Sequence, residues 1–278
     1  MNQSADTPRT WHFLRLYYKS MPLFRALFRD WYRAWFYPFL GRESFIPRNG
    51  AERIWLPRKY WTMLPTAARL AAIGAKTRWD DGHMRVSYGG MEFVAPWNGK
   101  MMGQSVREVF IDDAYRVQGR DLTGKVVLDV GAYIGDSSLA FALRGARVHA
   151  FEPIMEFHEC LAETMRLNGC ADKVVLHAVG LADKDAVGPD GMRLVDAFRY
   201  LDEQHIDRVN ILKLDCEGCE YELLRDDRLL KRLQPDEIVL EYHRGGADLY
   251  RFLLEHGYSV EWPEREDPVG YLYARAAR

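Results

Sequence analysis

The chain has 278 residues, 48% of them apolar and 13% aromatic, with a formal charge of −2. That length suits one large domain or a domain with a substantial extension, and the apolar share supports a sizeable core. A charge this close to neutral excludes a general nucleic-acid binder, which would carry a strong basic excess.

The first residues, Asn2-Gln3-Ser4-Ala5-Asp6, are polar and show no signal peptide. Arginines interrupt every later apolar run, so no stretch reaches the length of a membrane span. A cytoplasmic location is expected, extending to the inner face of a membrane. Residues 10–40 are dense in aromatics, among them Trp11, Phe13, Tyr17, Tyr18, Phe24, Phe28, Trp31, Tyr32, Trp35, Phe36, Tyr37 and Phe39. Arg9, Arg15, Lys19, Arg25, Arg29, Arg33 and Arg42 face a single acid in the same region, Asp30. Pro22 separates two helical pieces. In the second piece Phe24, Leu27, Phe28, Trp31 and Trp35 recur at helical spacing, while Arg25, Arg29 and Arg33 form a separate row. One reading is a helix packed on its own domain with a solvated basic face, and this is favoured. The other is contact with a membrane surface or a subunit.

Pro47, Pro57 and Pro65 mark residues 42–75 as irregular or short helical linking structure. Residues 84–88 and 91–95 flank Gly89-Gly90, which predicts a hairpin. A helix is expected over 103–115. These features divide the chain into a helical extension (1–75), a hairpin and lid-like segment (76–118) and a main domain (119–278).

From residue 124 the pattern alternates regularly. Strands are predicted at 126–130, 148–152, 174–179, 209–215, 238–243, 258–262 and 271–274. Helices are predicted at 136–144, 156–168, 192–204, 219–233 and 246–256. Such alternation implies parallel βαβ crossovers. Only a turn fits between the last two strands, so that pair is antiparallel.

The first strand runs into Gly131-Ala132-Tyr133-Ile134-Gly135-Asp136, and the second stops at Glu152. A glycine turn after one strand and an acid at the tip of the next describe a nucleoside-cofactor site: the glycines let the backbone approach a ligand, and the carboxylate accepts hydrogen bonds from ribose hydroxyls. A dinucleotide would require a third glycine and an uncharged helix start. Here Asp136 stands where phosphate would sit, with Asp129 and Glu152 beside it. Three acids suit a ligand with a positive centre, a free ribose and an amino group, which selects S-adenosyl-L-methionine over NAD. Five β-to-α steps closed by an antiparallel pair resemble the seven-stranded, mostly parallel class I methyltransferase sheet, with helices on both faces.

Three stretches together resemble one family. They are Val127-Leu128-Asp129-Val130-Gly131-Ala132-Tyr133-Ile134-Gly135-Asp136-Ser137, then Ala150-Phe151-Glu152-Pro153, then Leu212-Lys213-Leu214-Asp215-Cys216-Glu217-Gly218-Cys219-Glu220. The last, Lys-x-Asp-x-Glu-Gly-x-Glu, is the most particular. The chain over about 105–275 is similar to the FkbM family of S-adenosylmethionine-dependent methyltransferases. The resemblance implies O-methylation of a sugar, glycan or natural-product hydroxyl.

The fold's logic places Asp129, Gly131, Ala132, Gly135 and Asp136 at the methionine moiety and Glu152 with Pro153 at the ribose. It places Ala178 and Val179 at adenine, with Asp183 facing the adenine amino group. Tyr115 resembles the family's aromatic that closes over the cofactor. Asp215 ends the fourth strand beside the transferred methyl. Alternation puts Glu241 and His243 on one side of the fifth strand and Tyr242 on the other. His243 is the candidate general base, with Glu241 orienting it or binding substrate; Glu217 is a further candidate and Glu220 is read as structural. As an alternative, Asp215, Glu217, Glu241 and His243 could hold a divalent cation. Alternatives of another class are an NAD-dependent oxidoreductase and a non-catalytic membrane-associated scaffold. The four cysteines, Cys160, Cys170, Cys216 and Cys219, are read as packed free thiols of a reducing compartment, although Cys216 and Cys219 have C-x-x-C spacing.

Overall fold

The computed structural model describes residues 17–37, 43–48, 50, 53–80, 82–97, 102–225, 227–263, 265 and 267–277. Trp11, Phe13, Phe39, Arg9, Arg15 and Arg42 of the aromatic, basic arm lie outside the described residues. Backbone proximity divides the chain into two units, residues 1–107 and 108–278. The divisions drawn from sequence at 75/76 and 118/119 fall inside these units.

In the second unit the seven predicted apolar runs all become strands of one sheet. They are β1 (Val126–Val130), β2 (Arg147–Phe151), β3 (Val174–His177), β4 (Ile211–Leu214), β5 (Glu237–Tyr242), β6 (Tyr258–Glu261) and β7 (Gly270–Ala276). Their spatial order is β6-β7-β5-β4-β1-β2-β3. Strands β1 to β5 pair in parallel. β7 inserts antiparallel between β5 and β6, as the short connection between the last two strands requires. The chain builds outward from β1 to β3, then crosses to β4 on the other side of β1. That reversal opens a crevice at the carboxyl ends of β1 and β4.

The helices are α1 (Asp136–Leu143), α2 (Met155–Leu167), α3 (Ala197–Glu203), α4 (Cys219–Leu223), α5 (Arg228–Leu233) and α6 (Ala247–Glu255). Strand alternation sorts the side chains by face. Leu128, Val130, Leu212, Leu214, Ile238, Leu240 and Tyr242 join one core with Leu201, Leu229, Leu233, Leu249 and Leu253 from α3, α5 and α6. The opposite face carries Val127, Asp129, Ala150, Ile211, Lys213 and Val239, all buried. Two charged residues therefore lie in the middle of an otherwise apolar layer.

Several expectations are corrected. Residues 192–204 do not form one helix: Arg193–Asp196 is a strand, paired in parallel with Gly180–Ala182 and antiparallel with Ala186–Val187, and α3 follows it. Asp196 caps α3 by accepting from the Arg199 N–H at 2.8 Å, so the helix starts there. The third strand ends at His177, short of Val179. The helix predicted over 219–233 is two helices, α4 and α5. The one predicted over 103–115 spans Met102–Phe110.

In the first unit the hairpin His83–Tyr88 and Met91–Pro96 gains a third strand, Lys76–Asp80. The linking stretch 42–75 contains a strand pair, Glu43–Phe45 with Ile54–Leu56, a 3-10 segment and the helix Leu64–Ala72. Pro22 sits in the first turn of the helix Met21–Leu27, where its missing N–H costs nothing. The continuous amphipathic helix expected beyond it does not form. Phe28 makes an antiparallel bridge with Pro47, and a separate helix, Tyr32–Phe36, follows.

Gly135 links β1 to the packing of the next layer. Its φ is +90°, and a Cβ there would stand 2.5 Å from Leu161 Cδ1 and 2.8 Å from Met165 Cε on α2. Gly135→Ala should therefore destabilise the protein by about 2–4 kcal/mol through backbone strain and overpacking together. Denaturant unfolding would check this, and a variant as stable as the parent would refute the packing role.

Candidate active site

Register brings the two buried charges together. Lys213 on β4 pairs with Asp129 on β1, so their side chains leave the sheet on the same face. Lys213 Nζ lies 2.9 Å from Asp129 Oδ1, with both side chains sealed from solvent. It also donates to the Gly131 carbonyl at 2.7 Å and stands 3.8 Å from Asp215 Oδ2. Burial pulls the ammonium toward neutrality, but Asp129 and Asp215 outweigh it, and the net shift is upward. Asp129 Oδ2 accepts from Ser137 Oγ at 2.7 Å and Ser138 Oγ at 2.6 Å at the start of α1. Asp129 is thus a neutralised, enclosed carboxylate and not a free anion facing the crevice. Lys213 appears in the motif read from sequence, but its role went unread. The available signal was opposite charges in two buried strands.

The glycines serve the protein's own close approaches. Gly131 has φ +80°, and a Cβ there would fall 1.8 Å from the Asp215 carbonyl oxygen. Its N–H and that of Ala132 both donate to the Phe151 carbonyl at 3.0 Å, which ties the turn to the tip of β2. Ala132 is fully buried and Asp136 nearly so, in the first turn of α1.

Glu152 follows β2 directly and is 5% exposed. Its Oε2 accepts from the Tyr133 N–H at 3.0 Å and its Oε1 from the Ile154 N–H at 2.8 Å. Burial raises its carboxyl to about 7, with those two N–H donors pulling the other way. Each oxygen keeps a lone pair for a further donor. Pro153 packs beside Gly180. Ala178 and Val179 follow β3, with Val179 turned into the core and Ala178 half-buried. Asp183 faces Arg225, 3.4 Å away.

A second cluster gathers at the tips of β4 and β5. Tyr115 donates to Asp215 Oδ2 at 2.7 Å, and its ring lies 5.2 Å from Lys213 Nζ. Burial, then the Asp215 charge, holds the Tyr115 hydroxyl protonated, well above its ordinary range. Tyr242 points into the core, and Glu241 and His243 point the other way. His243 Nε2 lies 3.8 Å from Asp215 Oδ1 and 3.6 Å from Glu217 Oε2. Its Nδ1 meets Glu220 Oε1 at 3.1 Å. Glu220 is fully buried, and its Oε2 accepts from the Gly218 N–H at 2.9 Å. The Glu220 hydrogen bond is the main reason the imidazole rises to about 9, against burial and with help from Glu217 and Glu241. Glu241 is pushed up to about 8, by burial first and by the adjacent Asp215 second.

The free-thiol reading fails at one pair. Cys216 and Cys219 form a disulfide across the turn between β4 and α4. Glu217 and Gly218 both take positive φ there, and this brings the Cα atoms to 5.5 Å, within disulfide range. Cys160 and Cys170 are buried free thiols.

Residues 129–260 match the family model described as the methyltransferase FkbM domain. Over this stretch, just under half of its length, the chain is similar to FkbM methyltransferase domains. The sheet is seven-stranded and mostly parallel, as the sequence pattern predicts. Similar solved structures include the precorrin-6y C5,15-methyltransferase of Geobacter metallireducens GS-15, at 20% identity and a TM-score of 0.43, covering 66% of this chain and 94% of that one. The FkbM methyltransferase of Methylobacillus flagellatus KT is 21% identical with a TM-score of 0.43, covering 54% of this chain and 43% of that one. A SAM-dependent methyltransferase of Agrobacterium tumefaciens is 15% identical with a TM-score of 0.45, covering 72% and 71%. This chain thus spans less than half of the Methylobacillus protein. No curated protein matches it.

The matched stretch includes Asp129, Glu152, Lys213, Asp215, Glu241 and His243, whereas Tyr115 lies upstream of it. Removing the one ammonium among these acids tests what holds them. Lys213→Met should cost about 3–5 kcal/mol, because Asp129 is left charged and enclosed. Adding Asp129→Leu should restore much of that loss. Denaturation midpoints of the single and double variants measure both effects, and a loss within error for the single variant would show the pair to be dispensable.

Proposed function

We propose that this chain is an S-adenosylmethionine-dependent methyltransferase acting on a hydroxyl of a sugar, glycan or natural-product acceptor. The observation that carries the reading is the placement of Glu152 at the tip of β2 and of the Asp215–Glu241–His243 group at the tips of β4 and β5, on the same edge of the sheet. The residues suit that cofactor. Glu152 has unused acceptor capacity for ribose hydroxyls, and Asp136 in the first turn of α1 opposes a diphosphate. Lys213, the nearby ammonium, is already committed to Asp129. These points favour a cationic sulfur nucleoside over NAD. When bound, the cofactor supplies a methyl group already activated for displacement.

The chain's own work is then alignment and proton removal. His243, oriented through Nδ1 by Glu220, presents Nε2 to the acceptor hydroxyl and takes its proton. With the imidazole raised to about 9, only a small fraction is neutral at pH 7, so the base form increases as pH rises toward 9. Asp215, fixed by Tyr115 and Lys213, borders the same space. The acceptor class rests on the family resemblance alone.

A second reading is favoured by one observation. Ligand atoms of Asp215, Glu241 and His243 lie within 4.8 Å of one another. Glu220 on the far imidazole nitrogen resembles the outer carboxylate of histidine–metal sites. A divalent cation held there would bind the acceptor hydroxyl and lower its pKa.

Calorimetry with S-adenosylhomocysteine tests the cofactor site. Glu152→Ala should weaken binding by roughly tenfold to a hundredfold, the loss of charge-assisted hydrogen bonds. The ionised carboxylate is the better acceptor. Affinity of the parent should therefore rise as pH increases through about 7 and fall below it. A flat profile, or unchanged affinity in the variant, removes Glu152 from the site.

Turnover tests the second cluster. His243→Gln should slow methyl transfer by about 10²–10⁴ while S-adenosylhomocysteine still binds. The parent's rate should climb with pH toward about 9. Unchanged turnover in the variant rejects the base. Activity abolished by chelation and restored by magnesium or manganese selects the metal reading instead.

A further inference from the structure

We propose that the first unit docks on anionic lipid bilayers through the helix Tyr32–Phe36 and the arginines gathered beside it. The inference does not depend on the methyl-transfer reading. It starts from an inverted helix. Ala34 and Tyr37 are fully buried, while Tyr32, Trp35 and Phe36 are 60%, 51% and 59% exposed. Their i, i+3, i+4 spacing puts the three rings on one side. Single exposed apolar residues are ordinary, but three large adjacent aromatics turned to water are not.

The fold does not need those rings to hold the helix. Its inner side is anchored by buried tyrosines. Tyr17 donates to the Ala34 carbonyl at 2.6 Å, and Tyr37 donates to the Leu56 carbonyl at 2.6 Å. Phe24, Phe28 and Phe45 fill the core behind them. Trp35 also meets the Tyr18 ring edge-on at 5.0 Å, yet about half or more of each of the three side chains stays exposed.

Charge identifies the partner. The bridge between Phe28 and Pro47 lays residues 46–48 along 27–29, with Arg29 N–H donating to Ile46 and Arg48 N–H to Leu27. This folds Arg48 back onto Arg25, whose carbonyl accepts from Arg48 Nε at 3.1 Å. Arg25 also lies over the Trp31 ring at 5.7 Å. Arg25, Arg29 and Arg48 are all exposed. Asp30, the single acid between residues 17 and 37, is turned inward, where it accepts from the Ile46 N–H and meets Arg33. Exposed aromatics on a helix that follows directly in the chain from a cluster of exposed arginines, with Arg25 on the adjoining Trp31 ring and the local carboxylate withdrawn, complement lipid phosphates above an acyl boundary. Among the described residues no helix is long and apolar enough to cross a membrane, so the attachment is peripheral.

The test is co-sedimentation of the full chain with vesicles of phosphatidylcholine alone and of phosphatidylcholine mixed with phosphatidylglycerol. The parent should bind the anionic vesicles and bind neutral ones at least tenfold more weakly. Tyr32→Ser/Phe36→Ser should lose most binding to anionic vesicles. Arg25→Gln/Arg29→Gln should lose roughly fivefold per arginine and most of the salt sensitivity. All four side chains are exposed, and the backbone bond from Arg29 N–H to Ile46 survives the substitution; circular dichroism spectra matching the parent's would confirm intact folding, including for Arg25→Gln, which loses the contact with the Trp31 ring. Failure of the parent to sediment with anionic vesicles overturns the proposal, even if the same patch captures another protein. Equal sedimentation of the parent and the aromatic variant also overturns it.

Discussion

An ammonium group enclosed between two neighbouring strands sets the geometry at the carboxyl ends of β1 and β4. Lys213 spends its donors on Asp129, on the Gly131 carbonyl and toward Val130. A buried charge is costly unless it is paired, and here the pairing groups belong to β1 and to the turn that follows it. The same contact that neutralises Lys213 therefore fixes where the glycine turn begins. Because Asp215 lies two residues on, strand alternation sends its side chain to the same face, where Tyr115 receives it. Gly131 then lets the Asp215 backbone pass at a distance no side chain would permit.

Around that pair the carboxylates are graded by environment. Asp129 is spent internally on Lys213 and two serine hydroxyls. Glu152 is hydrogen-bonded by two backbone N–H groups, yet burial still raises its carboxyl to about 7. Asp215 and Glu241 crowd each other, while His243 gains positive charge from Glu220. The sequence reading, which counts Asp129 among three acids at the ligand, overstates the negative charge there, because Asp129 is paired with Lys213.

The parallel core was legible because its strands are short, mostly apolar runs alternating with helical segments, and the strand-tip residues followed from alternation with a period of two. The three short strands within 180–196 carried no such signal. Ala186–Val187 is two exposed residues long, and Arg193–Asp196 buries only Val195 fully. In the aromatic arm the helical period was real, but the Phe28–Pro47 bridge outweighed it, a tertiary pairing invisible to local spacing. Lys213 was visible as a residue and not as a partner, since its meaning depends on the register of β4 against β1. Glu220, read as structural, does sit buried as that reading implies, and it also sets the charge on His243.

The Cys216–Cys219 bridge spans a turn that delivers Glu217 and Glu220 to the same imidazole. Thiol reagents in a purification buffer would cut that tether and leave two positive-φ residues, Glu217 and Gly218, to hold the turn by themselves. Protein handled with and without dithiothreitol is then two preparations with differently supported histidines, and kinetic constants from one should not be compared with those from the other.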